Sequence, residues 1–323
     1  MKRLRVTITS CSMILAGVTF AATASAECSR KTLQKVATAY VTAQTEGKAG
    51  KLPLAKGGTY AENDKPMDIT KGVLAGALKV DFTRSFYDTT QCAAFTELVA
   101  ATDPHPYVIH TRMEADKKGK VTKVESIVTD AGDWVFGATE HLAVTKVENW
   151  GEIPKDKRDT RAAIQAAADA YLNNWGDPTL PVPHGTPCSR LEGRMSTAAR
   201  NPTGQACTMG AFPQKLKVTN RRYVIDETIG AVAIFHNFPW LDAGIPTDPG
   251  TPASQTFRVE GGMNRYIHEV TVCTSPGCGR GRPAGAAPGA GPGGPPAPGA
   301  PAAPGAPAAP AAPAAAPGGP GGA

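Results

Sequence analysis

Three residues have the types that an acid–base site needs: Glu192, Arg222 and His268. A carboxylate among apolar groups is raised in pKa by desolvation and becomes a general acid or base. A fixed guanidinium stabilises developing negative charge, and an imidazole moves protons near neutral pH. Glu192 stands in Cys188-Ser-Arg-Leu-Glu-Gly, and Glu62 stands 130 residues earlier (192 − 62) in Tyr60-Ala-Glu-Asn. Each is either a group at the mouth of a cavity or a surface-loop glutamate. Arg222 and Asp226 lie four apart, as do Arg84 and Asp88. On a strand that spacing sets both on one face, about 13 Å apart. If the face is concave, a cavity holds a cation and a carboxylate; otherwise the aspartates bond N–H groups of the turns that follow. Tyr223, Asp226, His236 and Trp240 are the candidate substrate contacts. The cluster Phe235-His-Asn-Phe-Pro-Trp240 is either a lip for a sugar or aromatic ring or a plug over a sheet. His110 and His268, in matching hairpins, are either catalytic or half-exposed strand residues.

The six histidines show no H-x-H or H-E-x-x-H spacing, and no carboxylate cluster completes a set, so neither a metal nor a cofactor is expected. The chain also lacks a G-x-S-x-G elbow, a phosphate-binding Gly loop and a dinucleotide fingerprint.

The elements that must position these residues are written twice. Lys79-Val-Asp-Phe-Thr-Arg-Ser-Phe-Tyr-Asp-Thr-Thr90 and Lys217-Val-Thr-Asn-Arg-Arg-Tyr-Val-Ile-Asp-Glu-Thr228 share Lys, Val, Arg, Asp and Thr without a gap. Each copy opens on an amphipathic helix. Leu33, Val36, Ala37, Tyr40 and Val41 recur at i, i+3, i+4, i+7 and i+8, as do Ile164, Ala167, Ala168, Tyr171 and Leu172. Gly47 stops the first, and Asp159 or Thr160 caps the second. A shorter helix is expected over Ile69–Leu78. Strands then follow in pairs: Val80–Asp88 and Ala93–Ala100, then Tyr107–Ala115 with Val121–Thr129 across Lys117-Lys-Gly119. In copy two Ala231–Phe238 precedes Thr256–Glu260, which pairs with Tyr266–Val272 across Gly261-Gly262. Pro239–Pro252 is an insertion in copy two alone. Trp134 and Trp150 bracket the hand-over, and Ile153 makes the Glu152–Arg158 linker a packed one.

Outside the copies, Met1–Ala26 has a basic head, a short apolar centre and a small-residue cleavage site, the pattern of a signal for export. Taking Lys2, Arg3 and Arg5 from the 34 basic residues leaves 31 against 28 acidic ones, a balance of +3. That is too small to argue for nucleic acid or an anionic membrane, and the apolar run is too short to span a bilayer. Pro283–Ala323 contains only Pro, Ala and Gly, an extended tail with no side chains for a core. Six cysteines remain after Cys11 leaves with the signal, an even number that in an exported chain reads as three disulfides. We expect Cys28–Cys92, Cys188–Cys207 and a local Cys273–Cys278 pair.

Six stretches carry a family resemblance: Asp88-Thr-Thr-Gln-Cys92, Glu125-Ser-Ile-Val-Thr129 with Gly132-Asp-Trp134, Arg158-Asp-Thr-Arg161, Gly185-Thr-Pro-Cys-Ser-Arg-Leu-Glu-Gly193, Asn220-Arg-Arg-Tyr-Val-Ile-Asp226 and Phe257-Arg-Val-Glu-Gly-Gly262. Over Cys28–Cys273 the chain resembles a secreted family known mainly from fungi. More widely its helix-then-sheet order resembles the nuclear transport factor 2-like, or SnoaL-like, fold. The resemblance implies a curved sheet wrapped round helices into a cone with a cavity at its open end. The fold hosts isomerases, dehydratases, hydrolases and pure binding modules, so it does not choose a reaction.

The expectation is thus an α+β chain of two cone-shaped domains, residues 27–150 and 151–282, packed sheet to sheet as a covalent pseudo-dimer, between a signal peptide (1–26) and a disordered tail (283–323). Copy two should hold the working site, because the loop after Glu192 and the insertion around Trp240 can cover a cavity mouth. The two functional readings are a secreted, cofactor-free acid–base enzyme (lyase, isomerase or hydrolase) on a small organic or sugar-derived molecule, and a non-catalytic binding or structural module.

Overall fold

A computed structural model of the chain describes residues 28–198, 203–204, 206–208, 217–239 and 250–274. The segments expected to be a signal and a tail lie outside the described residues, as do Trp240 and Cys278.

The first copy opens on α1 (Arg30–Glu46). The Ser29 hydroxyl accepts the Thr32 N–H at 3.0 Å, and Gly47, at φ 63°, closes the helix in the left-handed region that glycine tolerates. Six strands follow: β1 (Leu54–Glu62), β2 (Lys65–Pro66), β3 (Phe82–Asp88), β4 (Ala93–Ala100), β5 (Tyr107–Ala115) and β6 (Val121–Thr129). After α2 (Ala138–Thr145), the second copy opens on α3 (Arg161–Gly176), capped by Thr160. It continues through β7 (His184–Glu192), β8 (Met195–Ser196), β9 (Thr219–Asp226), β10 (Ala231–Phe238), β11 (Thr251–Glu260) and β12 (Met263–Thr271). The sheets have one topology, β2-β1-β6-β5-β4-β3 and β8-β7-β12-β11-β10-β9. In both, a single parallel pair (β1 with β6, β7 with β12) interrupts an otherwise antiparallel order.

Several expectations need correction. The stretches that end in Glu62 and Glu192, expected as a cavity mouth or a surface loop, are strands, β1 and β7, because the parallel partner supplies backbone bonds that their own sequence does not advertise. The helix expected over 69–78 is one 3-10 turn, Val73–Ala75, whose ends side chains have taken over. Glu62 accepts the Val73 N–H at 2.8 Å, while Gln44 donates to the Val73 and Gly76 carbonyls. The sequence reading contains no α2, and β11 starts at Thr251, inside the expected insertion. Gly261 and Gly262 do turn the last hairpin, both at positive φ (63° and 71°), as a two-residue loop between right-twisted strands requires.

Each sheet buries one face against its own helix. Leu33, Val36 and Tyr40 of α1 meet Leu98, Ile109 and Met113, and Ile164, Tyr171 and Leu172 of α3 meet Ile234, Phe257 and Ile267. The other faces meet each other. Phe86, Phe95, Val108 and Ile127 pack with Val224, Ala233, Phe235 and Val270, and Trp150 stacks on Phe86. Burying each large side chain contributes about 1.5–3 kcal/mol. All eight positions of β4 and of β10 are therefore buried, on both faces. The linker is packed too: Ile153 is buried and its N–H donates to the Thr228 carbonyl.

The meeting of the copies is sealed reciprocally. Arg161, at the start of α3, grips Asp88 with two 2.7 Å bonds, and Asp88 also accepts the Ile225 N–H. Arg30, at the start of α1, bonds Asp226 at 2.7 Å, and Asp226 accepts the Tyr87 N–H. The two aspartates are equivalent (226 − 88 = 138), as are the residues giving the N–H groups (225 − 87 = 138) and the two arginines on their helices. Each half thus gives the other the same contacts that it receives.

Two of the expected disulfides join described residues. Cys28–Cys92, 64 residues apart, ties the start of α1 to the turn after β3, and Cys188–Cys207 closes a loop of 19. Closing a loop of that smaller size stabilises by roughly 3 kcal/mol on chain-entropy grounds. Cys273 is also disulfide-bonded, and the Cys278 expected as its partner lies outside the described residues.

Candidate functional site

Strand parity decides which residues share a face. On β12, Ile267, Glu269 and Thr271 turn toward α3, while His268, Val270 and Val272 turn toward the first sheet. Glu269 is paired in register with Glu192 on the parallel neighbour β7. Neighbouring strands lie about 4.8 Å apart, so two carboxylates stand side by side over the α3 face.

Each carboxylate has its own partners. Glu192 accepts from the Trp134 indole at 2.7 Å and from Arg190 at 2.8 Å. Glu269 accepts from Gln255 Nε2 at 2.6 Å and from Thr271 Oγ1 at 2.7 Å. Burial, with the Glu192 charge beside it, pushes the Glu269 carboxyl up to about 7. Arg190 lies over the Trp175 ring at 5.9 Å. Deeper in the same interior His236 is buried with neither ring nitrogen hydrogen-bonded among the described residues, and Gln255 Oε1 and Asn264 Oδ1 are likewise unpartnered. Burial, reinforced by the charges of Arg221 and Arg222, pushes His236 down to about 3.

The first copy has the same frame with different contents. Register pairs Thr111 with Ser126 where copy two pairs Gln255 with Glu269, Ile109 with Leu98 where it pairs Ala253 with His236, and Tyr60 with Val124 where it pairs Arg190 with Ile267. At four equivalent interior positions, Tyr60, Leu98, Thr111 and Ser126 of copy one become Arg190, His236, Gln255 and Glu269 of copy two. In copy one the interior hydroxyls of Thr111, Tyr40 and Ser126 satisfy one another within 2.9 Å.

The other expected site residues are elsewhere. Arg222 sits on the inter-sheet face, forming ion pairs with Asp64 at 2.7 Å and Glu125 at 3.0 Å, because the Arg84/Asp88 and Arg222/Asp226 face is the one between the sheets and not the one that packs on a helix. Asp226 is a buried seal between the copies rather than a substrate contact, and it also accepts the Thr228 N–H of its own turn. His268 faces away from Glu192, toward Glu148 and Glu97. Tyr223 bonds Asp169 of α3 at the rim of the α3 face. Trp240 lies outside the described residues. Sequence reasoning misses Glu269 and Arg190. The alternation of Ile267, Glu269 and Thr271 on one strand face is the signal that could find the first.

Glu62 borders an open cleft of about 520 Å³ with Lys71, Tyr107, Asp130 and Asp133. Its acids are already engaged: Glu62 by the Tyr60 hydroxyl and the Val73 N–H, Asp133 by the N–H groups of Cys273 and Asp130, and Asp130 by His105. The cleft is therefore roomy and its carboxylates are partnered, as Glu192 and Glu269 are, but only the α3 face of copy two adds buried polar atoms (His236, Gln255 Oε1, Asn264 Oδ1) without partners among the described residues.

Among the described residues two groups converge as metal ligands do: Glu97 with His141 and His268, and His184 with Cys188 and Cys207. The second is occupied by chemistry already, since its sulfurs form a disulfide.

Residues 157–271, from just before α3 to the end of β12, match the model of a family described as a domain of unknown function, DUF8021. No curated protein matches the chain.

Proposed function

We propose that the chain is an exported pseudo-dimer of two cone-shaped domains, and that the interior of the second is a cofactor-free acid–base site for a small polar or sugar-derived molecule. The observation that carries this reading is the four-position exchange between equivalent interiors, which replaces self-satisfied or apolar groups by Arg190, His236, Gln255 and Glu269. Folding alone gives no reason to bury a second carboxylate beside Glu192, since like charges side by side disfavour each other. Two adjacent carboxylates divide naturally into a proton donor and a proton acceptor, Glu269 serving as the acid and Glu192 as the base. Arg190, not Arg222, supplies the cation for developing negative charge.

A thermal-shift screen of exported sugars, sugar acids and small organic acids against the full exported chain identifies a ligand. Turnover of that ligand should then fall by about 10²–10⁴-fold in Glu192→Gln and in Glu269→Gln, with the fold unchanged by circular dichroism. Glu62→Gln should be nearly silent; equal effects of Glu62→Gln and Glu192→Gln would remove the site from copy two. The second reading, a binding module, is favoured by the copy-one cleft. It prevails if a ligand stabilises the chain without being converted and Lys71→Ala abolishes the shift.

A further inference from the structure

Between the two sheets, Glu97 of β4, His141 of α2 and His268 of β12 converge with side chains 0–1% exposed. Their nearest ligand atoms all lie within 4.8 Å of one another. His141 Nε2 is 2.8 Å from Glu97 Oε1, and His268 Nδ1 is 4.0 Å from the same oxygen. We propose that these three residues bind a divalent transition ion of the zinc class, which clamps the first sheet, α2 and the second sheet together.

The orientation of each ligand supports this. A metal-bound histidine ordinarily directs its other ring nitrogen at a carbonyl or carboxylate, which fixes the ring. His141 turns Nδ1 to the Gly193 carbonyl at 3.0 Å and leaves Nε2 facing Glu97. His268 sets Nε2 2.6 Å from Glu148 Oε2, a charge contact off line for a hydrogen bond, and leaves Nδ1 facing Glu97. Glu97 divides its two oxygens: Arg84 takes Oε2 with both Nε and Nη2, at 2.9 and 2.7 Å, so Oε1 is the one turned to the histidines. Thr145, bonded to Arg84, stands 3.3 Å from Oε1 and can complete the shell.

A second, independent observation points to a ligand. His268 Nδ1 is completely buried and has no hydrogen-bond partner among the described residues. Ligands 2.0–2.1 Å from a tetrahedral ion stand roughly 3.4 Å apart, between the 2.8 and 4.0 Å separations from Glu97 Oε1, and with the whole set within 4.8 Å closure needs shifts of about 1 Å or less. Two imidazoles and one carboxylate suit zinc, cobalt, iron or manganese rather than calcium or magnesium. The charges fit as well. Arg84 and Glu148 flank the triad, so the ion adds to a site that already holds two carboxylates against one guanidinium. No short motif announces the set: its members are 44 and 127 residues apart (141 − 97 and 268 − 141).

The test uses the full exported chain, stripped with a chelator under non-reducing conditions and titrated with Zn²⁺ and Co²⁺. The expected results are one metal per chain by mass spectrometry, visible d–d absorption from Co²⁺ of a low-coordinate nitrogen/oxygen site, and a Tm raised by several degrees. His268→Asn should abolish the absorption. Glu148→Gln, which removes a positioning residue and leaves the three ligands, should weaken Co²⁺ affinity by about 10–100-fold while still saturating at one ion. A folded wild-type chain that takes up no ion overturns the proposal. So does an ion bound equally well by His268→Asn, which would be sitting on the surface, or an affinity unchanged in Glu148→Gln should His268→Asn fail to fold.

Discussion

His236 is a histidine where the first copy has Leu98, and the exchange has a thermodynamic signature. An unfolded histidine titrates near 6.5, while His236 is held down at about 3 by burial and the nearby Arg221 and Arg222 charges. Between those values the unfolded chain takes up a proton that the folded one refuses. The stability tied to the neutral ring is fully present above pH 6.5 and is lost as pH falls toward 3, by up to about 1.4 kcal/mol per pH unit. His110, also pushed down to about 3 by burial, adds a second contribution of the same sign. His236→Leu should therefore make the acid limb shallower while sparing stability at pH 8. Urea unfolding from about pH 8 to 4 measures it; parallel curves for wild type and variant would show that the ring is not buried neutral. At the same scale the sequence is half legible. Glu192 can be named from its motif, but Glu269 becomes its partner only through pairing across 77 residues (269 − 192). The sequence reading places His268 beside Glu192, and the opposite face of its strand forbids that role.

Among the elements, both long helices are legible because their apolar spacing is a local property, and so are β3 to β6. β1 and β7 are not, because a strand held by a parallel neighbour needs no alternation of its own. Gly57 and Gly58 interrupt β1, and Gly185 and Pro187 interrupt β7, so neither advertises itself as a strand. α2 escapes for a similar reason, being a two-turn helix held by what it touches, with His141 bound to Gly193 and Glu97. The aspartates at the ends of β3 and β9 make the sharpest prediction at this scale. Asp88 is fully buried and held by Arg161, so Asp88→Ala should cost about 3–5 kcal/mol, and Arg161→Ala a comparable amount, because each strands its partner. In the double variant the losses should fall well short of additive. Chemical denaturation of the three variants gives the coupling energy, and simple additivity would mean that the pair does not act as a unit.

For the whole molecule, the face between the sheets is the largest commitment. Residues 151–274 on their own would expose Val224, Ala233, Phe235, Val270 and Val272 together. A contiguous apolar surface of that kind drives association. The isolated second copy should therefore elute as a dimer or larger species that binds a hydrophobic dye, and a dye-silent monomer would show that the sheet-to-sheet contact is dispensable.

The reciprocal seal has a consequence for how chains tell self from neighbour. An Asp at the end of a strand and an Arg in the first turn of a helix are offered by both halves, so the first half of one molecule fits the second half of another as well as its own. Nothing in that contact records which chain a half came from. What keeps the pairing within one chain is the tether, with Ile153 pinned to the Thr228 carbonyl, which holds the halves at an effective concentration near millimolar. Refolding at high protein concentration, or loosening the tether with Ile153→Gly, therefore opens a route to exchanged dimers and to open chains of exchanged halves.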